Sequence, residues 1–262
     1  MQTKKTRKTS TRILIGLGVL IFWIGVWAIA SAAVHQELLI PAPWVVCQHL
    51  FKIVTGGSFF RIIFTSFLRV LGGFLSGCLF GMLLAVVCSL SQVLDAVLRP
   101  VVRIISSIPV TSFIILVMLW LPYTYVPVFI SALLVIPIVF GNVRTGIEQT
   151  DPSLLEVARI YRFGHLKTLR FVYIPSVLPF FASGAVTALG LAWKAGIAAE
   201  VLAQPKQAIG SQMYFSKLYL ETADLFAWTL IVILFSYLLE KLVEKFIKKP
   251  SGKTDSGKGD EP

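Results

Sequence analysis

The side chains able to do chemistry in this 262-residue chain are few and scattered. His35, His49 and His165 stand far apart, as do Cys47, Cys78 and Cys88, and neither set has the spacing of a metal site or a disulfide framework. Gly252-Lys253-Thr254 ends like a phosphate cradle, but Ile247 holds the place of the earlier glycine and no strand precedes it. No metal, cofactor or catalytic residue is predicted, and any ATP hydrolysis belongs to another subunit. What remains is a small set of ionisable residues in apolar surroundings: Lys194, Glu200 and Arg69. A charge near the centre of a bilayer costs roughly 2.5–3.5 kcal/mol on insertion scales, so such residues find a partner, a wet surface or a pathway. Lys194 and Glu200 are six residues apart, about 600° of helical rotation, and so point to different sides. The competing reading is that they, and Arg69, snorkel to the outer interface.

The elements that must position these residues are membrane helices. The chain is 56% hydrophobic and 14% charged, where soluble domains carry roughly a quarter charged residues. At about 20 apolar residues per crossing, it reads as an all-α membrane protein with about six transmembrane helices. The intervals between charges place spans at 13–34, 62–90, 102–121, 125–142, 176–203 and 225–246, with a hairpin at Leu121-Pro122-Tyr123. The resulting organisation is a basic cytoplasmic segment 1–12, a first helix 13–34, an external loop 35–61 and a core 62–246 of five helices. A cytoplasmic loop 143–175 lies within the core, and a polar tail 247–262 is predicted disordered. Ala28-Ile29-Ala30 offers a rival reading of the first span as a cleaved signal peptide, but 22 uncharged residues exceed the usual signal core. Glu240, Lys241, Glu244 and Lys245 are expected to leave the hydrocarbon as a wet turn, and Gln207 to Leu220 to form a re-entrant or surface helix.

Orientation follows from lysine and arginine placement. With both termini inside, cytoplasmic segments hold eighteen of the 24 basic residues, leaving only Lys52, Arg61, Lys206 and Lys217 outside. The net charge of +11 is a consequence of topology and requires no nucleic acid. Gly73, Gly77 and Gly81 form a row of small residues at spacing four, as do Gly184, Ala188 and Ala192, predicting close helix packing within one subunit.

The cytoplasmic loop is the most specific segment. Asp151 suits an N-cap, Pro152 the first helical position, and Leu154, Leu155, Ala158 and Tyr161 an apolar face. Gly164 closes this helix or opens a second, His165 to Tyr173. Glu156-Val157-Ala158, followed after sixteen residues by Pro175, resembles the signature loop of bacterial ABC importer permeases. There the pattern is Glu-Ala-Ala, a glycine, and a Leu-Pro ending. Val157 stands at the first alanine, Arg162 at the glycine and Ile174-Pro175 at the ending, with Gly164 a candidate to take over the turn. Ser66 to Phe74, Arg99-Pro100, Ile108-Pro109 and Gly190 to Leu202 resemble the nitrate, sulfonate and taurine subgroup in the same order.

The resemblance implies a type I importer permease fold with a cytoplasmic coupling helix, in a bacterial inner membrane. It implies a permease homodimer, cytoplasmic ABC ATPase subunits and an external solute-binding protein as partners. Leu154, Leu155, Glu156, Ala158, Arg159, Tyr161 and Gly164 would couple to the ATPase; Lys194, Glu200 and Arg69 are pathway candidates. The implied cargo is a small organic or inorganic anion such as a sulfonate, taurine or nitrate. The alternatives are a vitamin-precursor importer of the same kind, or an ion-coupled carrier built around midplane charges.

Overall fold

The structure, a computed structural model, describes the backbone of residues 3–247 and the side chains of residues 15–245. Apart from Ile247, the tail 247–262 lies outside the described residues, as do the side chains of segment 1–12. In chain order the helices are α1 (Thr3–Val34), α2 (Pro43–Thr55), α3 (Phe59–Leu90), α4 (Gln92–Ser107), α5 (Val110–Val117) and α6 (Val126–Glu148). They continue with α7 (Pro152–Ile160), α8 (His165–Thr168), a π turn (Leu169–Tyr173), α9 (Ile174–Ala203), α10 (Ile209–Leu218) and α11 (Thr222–Ile247). Five segments are long and apolar enough to cross a membrane, and the bent pair α4–α5 supplies a sixth if counted as one crossing.

The core is the sandwich of α6 between α3 and α9. Its closeness comes from the predicted glycine row, which is used inside the chain. A Cβ on Gly77 would sit 2.6 Å from Val135 Cβ, and one on Gly81 2.7 Å from the Ile136 carbonyl oxygen. On the other side of α6, a Cβ on Gly184 would meet the Asn142 side chain at 2.7 Å, while Ala188 and Ala192 are fully buried. Backbones this close gain dispersion contacts that longer side chains would prevent, and such contacts drive helix association in lipid. Near the C-terminal end of α6, Arg144 ion-pairs with Asp95 of α4 and with Glu148, the latter at 2.7 Å.

Two predicted elements are corrected. The span expected at 102–121 is broken by 101° between α4 and α5. Pro109 cannot donate to the helical ladder, and Ile108 before it is driven to an extended backbone (φ −71°, ψ 128°). Hence only α5 and the following turns approach the predicted hairpin at Leu121–Tyr123. The segment 35–61 is not simply a loop, because it contains α2. Val46, Leu50 and Ile53 fall on one face of α2 and are packed inward, and His49 Nδ1 lies 2.5 Å from Asp224 Oδ1 of α11. The stretch Gln207 to Leu220 does contain a helix, α10, which packs against α9 and α11.

The glycine row generates a test. Gly77→Ala should lower stability by about 1–3 kcal/mol through overpacking, read as a lower thermal unfolding midpoint in detergent. Gly141→Ala, with nothing within 4 Å of the added carbon, should leave the midpoint equal or higher, since alanine favours the helix by about 1 kcal/mol. Equal effects at the two positions would contradict the packing of α3 on α6.

Candidate functional site

The first candidate site is the loop 143–175 between α6 and α9. Asp151 Oδ1 accepts a 2.8 Å hydrogen bond from Ser153 N, and Pro152 occupies the first turn of α7. Hydrogen bonding from the Ser153 side chain, and next from its backbone N–H, holds the exposed Asp151 carboxyl below its ordinary carboxylate value. Helix α7 ends in a Schellman arrangement: Phe163 N donates to Ala158 O at 2.8 Å and Arg162 N to Arg159 O at 3.0 Å. The left-handed residue this requires is Arg162 itself (φ 51°). Gly164 does not take over the turn. It is extended and opens α8, its carbonyl accepting from Thr168 N at 3.0 Å. The family pattern's glycine thus falls on the position where a missing Cβ is worth most, and here an arginine adopts that backbone.

The outward face of α7 differs from the expected one. Ala158 is buried and Leu155 half-buried within the chain itself. Leu154, Val157, Ile160 and Tyr161 are exposed, joined by Leu166 of α8, which is 83% exposed. Glu156 and Arg159 are exposed among them. Because apolar residues occur all around α7, their periodicity could not reveal which side turns inward. The sequence reading therefore missed Val157, Ile160 and Leu166. From α8 the chain passes through the π turn directly into α9, so His165–Ala203 is one continuous helical segment.

The second candidate is the C-terminal half of α9. Glu200 is fully buried. Its Oε1 lies 3.2 Å from Arg69 Nη1, and its Oε2 accepts from Ser66 Oγ at 2.8 Å and from Gly210 N at 3.2 Å. Arg69 also donates to the Lys206 carbonyl at 2.9 Å and the Gln207 carbonyl at 3.4 Å. Ser66 accepts from Ile209 N at 2.9 Å, and Thr65 donates to the Gln207 carbonyl. Arg69 and Glu200 therefore pair with one another across two helices; in this structure Glu200 reaches no open route, and Arg69 is directed into the same cluster. Ser66 and Arg69 stand three residues apart on one helical face, a spacing that could have marked both as partners for a buried carboxylate.

Lys194 is separate from this cluster, as its angular offset from Glu200 required. It is exposed and forms no ion pair or hydrogen bond among the described residues. Around α9, Ala195 and Ala199 pack with Ile114 and Val117 of α5. Ala192 O accepts from Ser131 of α6, Gly196 abuts Val70 of α3, and Trp193 bonds the Val232 carbonyl of α11. One sector is left uncovered. It holds Ser183, Thr187, Leu191 and Lys194, all exposed, with Ala198 half-buried beyond them. The steps of four, four, three and four residues keep these on a single face.

Glu240 corrects another expectation. Its carboxylate lies against the middle of α9, where a Cβ on Gly190 would sit 2.5 Å from Oε1. It is half-buried there, while Lys241, Glu244 and Lys245 of the same expected wet turn are exposed.

Comparison with known proteins agrees with this architecture. The family described as the binding-protein-dependent transport system inner membrane component matches residues 77–249. A putative aliphatic sulfonates transport permease of Bacillus subtilis (strain 168) is 25% identical over 231 residues, covering 86% of this chain and 80% of that protein. The taurine transport system permease of Escherichia coli (strain K12) is 22% identical, covering 88% and 86%. The bicarbonate transport system permease of Synechococcus elongatus is 27% identical, covering 76% and 75%. Among solved structures, a bacterial ABC transporter involved in import of the acidic polysaccharide alginate superimposes with a TM-score of 0.65 at 15% identity. That superposition covers 96% of this chain and all of the other. An amino acid ABC transporter gives 0.53 at 20% identity, covering 72% and 88%. At such identities the structures establish the shared fold, the type I importer permease fold. With a match spanning most of its helical core, the chain belongs to the family of binding-protein-dependent transport system inner membrane components.

Proposed function

We propose that this chain is the translocation subunit of an ATP-driven importer for a small anion. Two copies form the pathway in a bacterial inner membrane with both termini cytoplasmic, a separate ATPase seats on α7, and an external binding protein delivers the cargo. The observation that carries the reading is α7 itself. It is a short helix outside the membrane bundle whose exposed side chains include Leu154, Val157, Ile160 and Tyr161, and the continuous helical segment His165–Ala203 follows it after residues 161–164. An apolar patch of this kind outside the hydrocarbon is the mark of a protein contact.

The anion assignment rests on Lys194. It lies nine residues before the outer end of α9, about 14 Å in, near the middle of a hydrocarbon layer roughly 30 Å thick. An unpaired ammonium at that depth is costly against lipid, which favours an open sector of α9 facing the second copy across a wet pathway. The sulfonates, taurine and bicarbonate in the relatives' names carry an anionic group, in keeping with this reading. The ion-coupled alternative drew on Glu200 as one of its midplane charges, and that carboxylate is already committed to Arg69, Ser66 and Gly210. A vitamin precursor without a negative charge would leave Lys194 unused.

In proteoliposomes containing the ATPase and binding protein, Lys194→Ala should lower uptake at least tenfold while leaving basal ATP hydrolysis intact. Uptake at the unmodified rate would reject the pathway role. On the cytoplasmic side, Val157→Asp with Ile160→Asp should abolish ATPase co-purification, whereas Arg162→Gly, which relieves a left-handed arginine, should retain coupled transport. An ATPase that still co-purifies with the double aspartate variant would remove α7 as its seat.

A further inference from the structure

We infer that Arg69 and Glu200 are positioning residues that weld α10 to α9, so that movement delivered at the inner end of α9 reaches the external face without a hinge. The joint is built from both sides. Glu200 and Ser66 receive the N–H groups of Gly210 and Ile209, the first residues of α10, where a helix leaves its donors unpaired and favours negative charge. Arg69 neutralises that carboxylate and at the same time ties down the carbonyls of Lys206 and Gln207, the turn between the two helices. Gln204 and Gln207 hold left-handed backbones in this turn (φ 50° and 53°), a conformation that persists when surrounding contacts enforce it.

Close packing removes the remaining slack. A Cβ on Gly210 would sit 2.5 Å from both Glu200 Cβ and Val201 N. Helix α10 therefore meets α9 at backbone contact, and Ile209 is fully buried in the core beyond it. Since α10 also lies on α11, it caps the outer end of the bundle. From Ile174 to Glu200 the rod is about 39 Å long, so a rotation of about 15°, comparable to known quaternary shifts, moves its far end by about 10 Å. The clamp makes α10 travel with that end.

This inference rests on the reading that a separate ATPase drives α7. Its test uses the complete transporter in nanodiscs. Hydrogen exchange of the Ile209 and Gly210 amides is followed in the resting state and with ATP trapped. Both amides should exchange slowly, within twofold, in the two states; a tenfold rise in either state would show the joint opening and overturn the proposal. Arg69→Met with Glu200→Met replaces the pair without leaving a lone buried charge. Here uptake per ATP hydrolysed should fall at least tenfold. A ratio equal to that of the unmodified transporter, with uptake and hydrolysis reduced in parallel, would make the pair merely structural and overturn the proposal. Should the Met pair not fold, exchange in the unmodified complex still decides. Failure of the ATPase to bind the unmodified chain would instead refute the driving role of α7, an outcome separate from either result at the joint.

Discussion

A carboxylate with no solvent contact inside a membrane bundle must be satisfied by the protein on every side, and Glu200 imposes that condition on three separate parts of the chain. Ser66 and Arg69 come from α3, Gly210 from α10, and the turn carbonyls held by Arg69 from the link between α9 and α10. Removing one partner of such a pair characteristically costs about 3–5 kcal/mol, because the remaining charge cannot regain water. The order of helices around the C-terminal end of α9 therefore follows from one ion pair and its hydrogen bonds. Further in, order follows from the glycine contacts of α3 with α6.

Helix α9 gathers the functional features. Its N-terminal end continues from the loop helices, its C-terminal end carries the Arg69–Glu200 cluster, and between them its surface is divided among four neighbours and one open sector. Small residues face α5, α6 and α3, where backbones are close, while Trp193 reaches α11 and stacks on Phe235 at 6.1 Å. The uncovered sector is different in kind: Ser183, Thr187 and Lys194 bring hydroxyls and an ammonium to a surface that lipid would penalise. A rod that is tightly packed on four sides and polar on the fifth suits an element that moves as a body beside a wet route.

How much of this could be read from the chain depended on the range of the interaction. Local signals were legible: Asp151 and Pro152 starting α7, the hairpin near Pro122, and the glycine row of α3 all stand where the residues indicated. The break at Pro109 was hidden because a 40-residue uncharged stretch locates apolar chain but not its direction. Helix α2 was concealed in a supposed loop although Pro43 stands at its first turn and Val46, Leu50 and Ile53 share a face. The inward turn of Ala158 was undetectable in a helix with apolar residues on all sides. Long-range pairings were invisible in principle. Arg69 and Glu200 are 131 residues apart, and the seat of Glu240 on Gly190 depends on how α11 lies against α9, which no local pattern encodes.

The account stands on the claim that α7 is a cytoplasmic seat for a separate ATPase. It is tested most directly by a single cysteine at Ile160 (I160C) in a chain otherwise free of cysteine, within the assembled transporter. A membrane-impermeant maleimide added outside is expected to leave this thiol unlabelled, and a short maleimide–aryl azide attached to it is expected to link it to the ATPase subunit on illumination. Labelling from the external side, or a thiol that never links to the ATPase in the active complex, would contradict it.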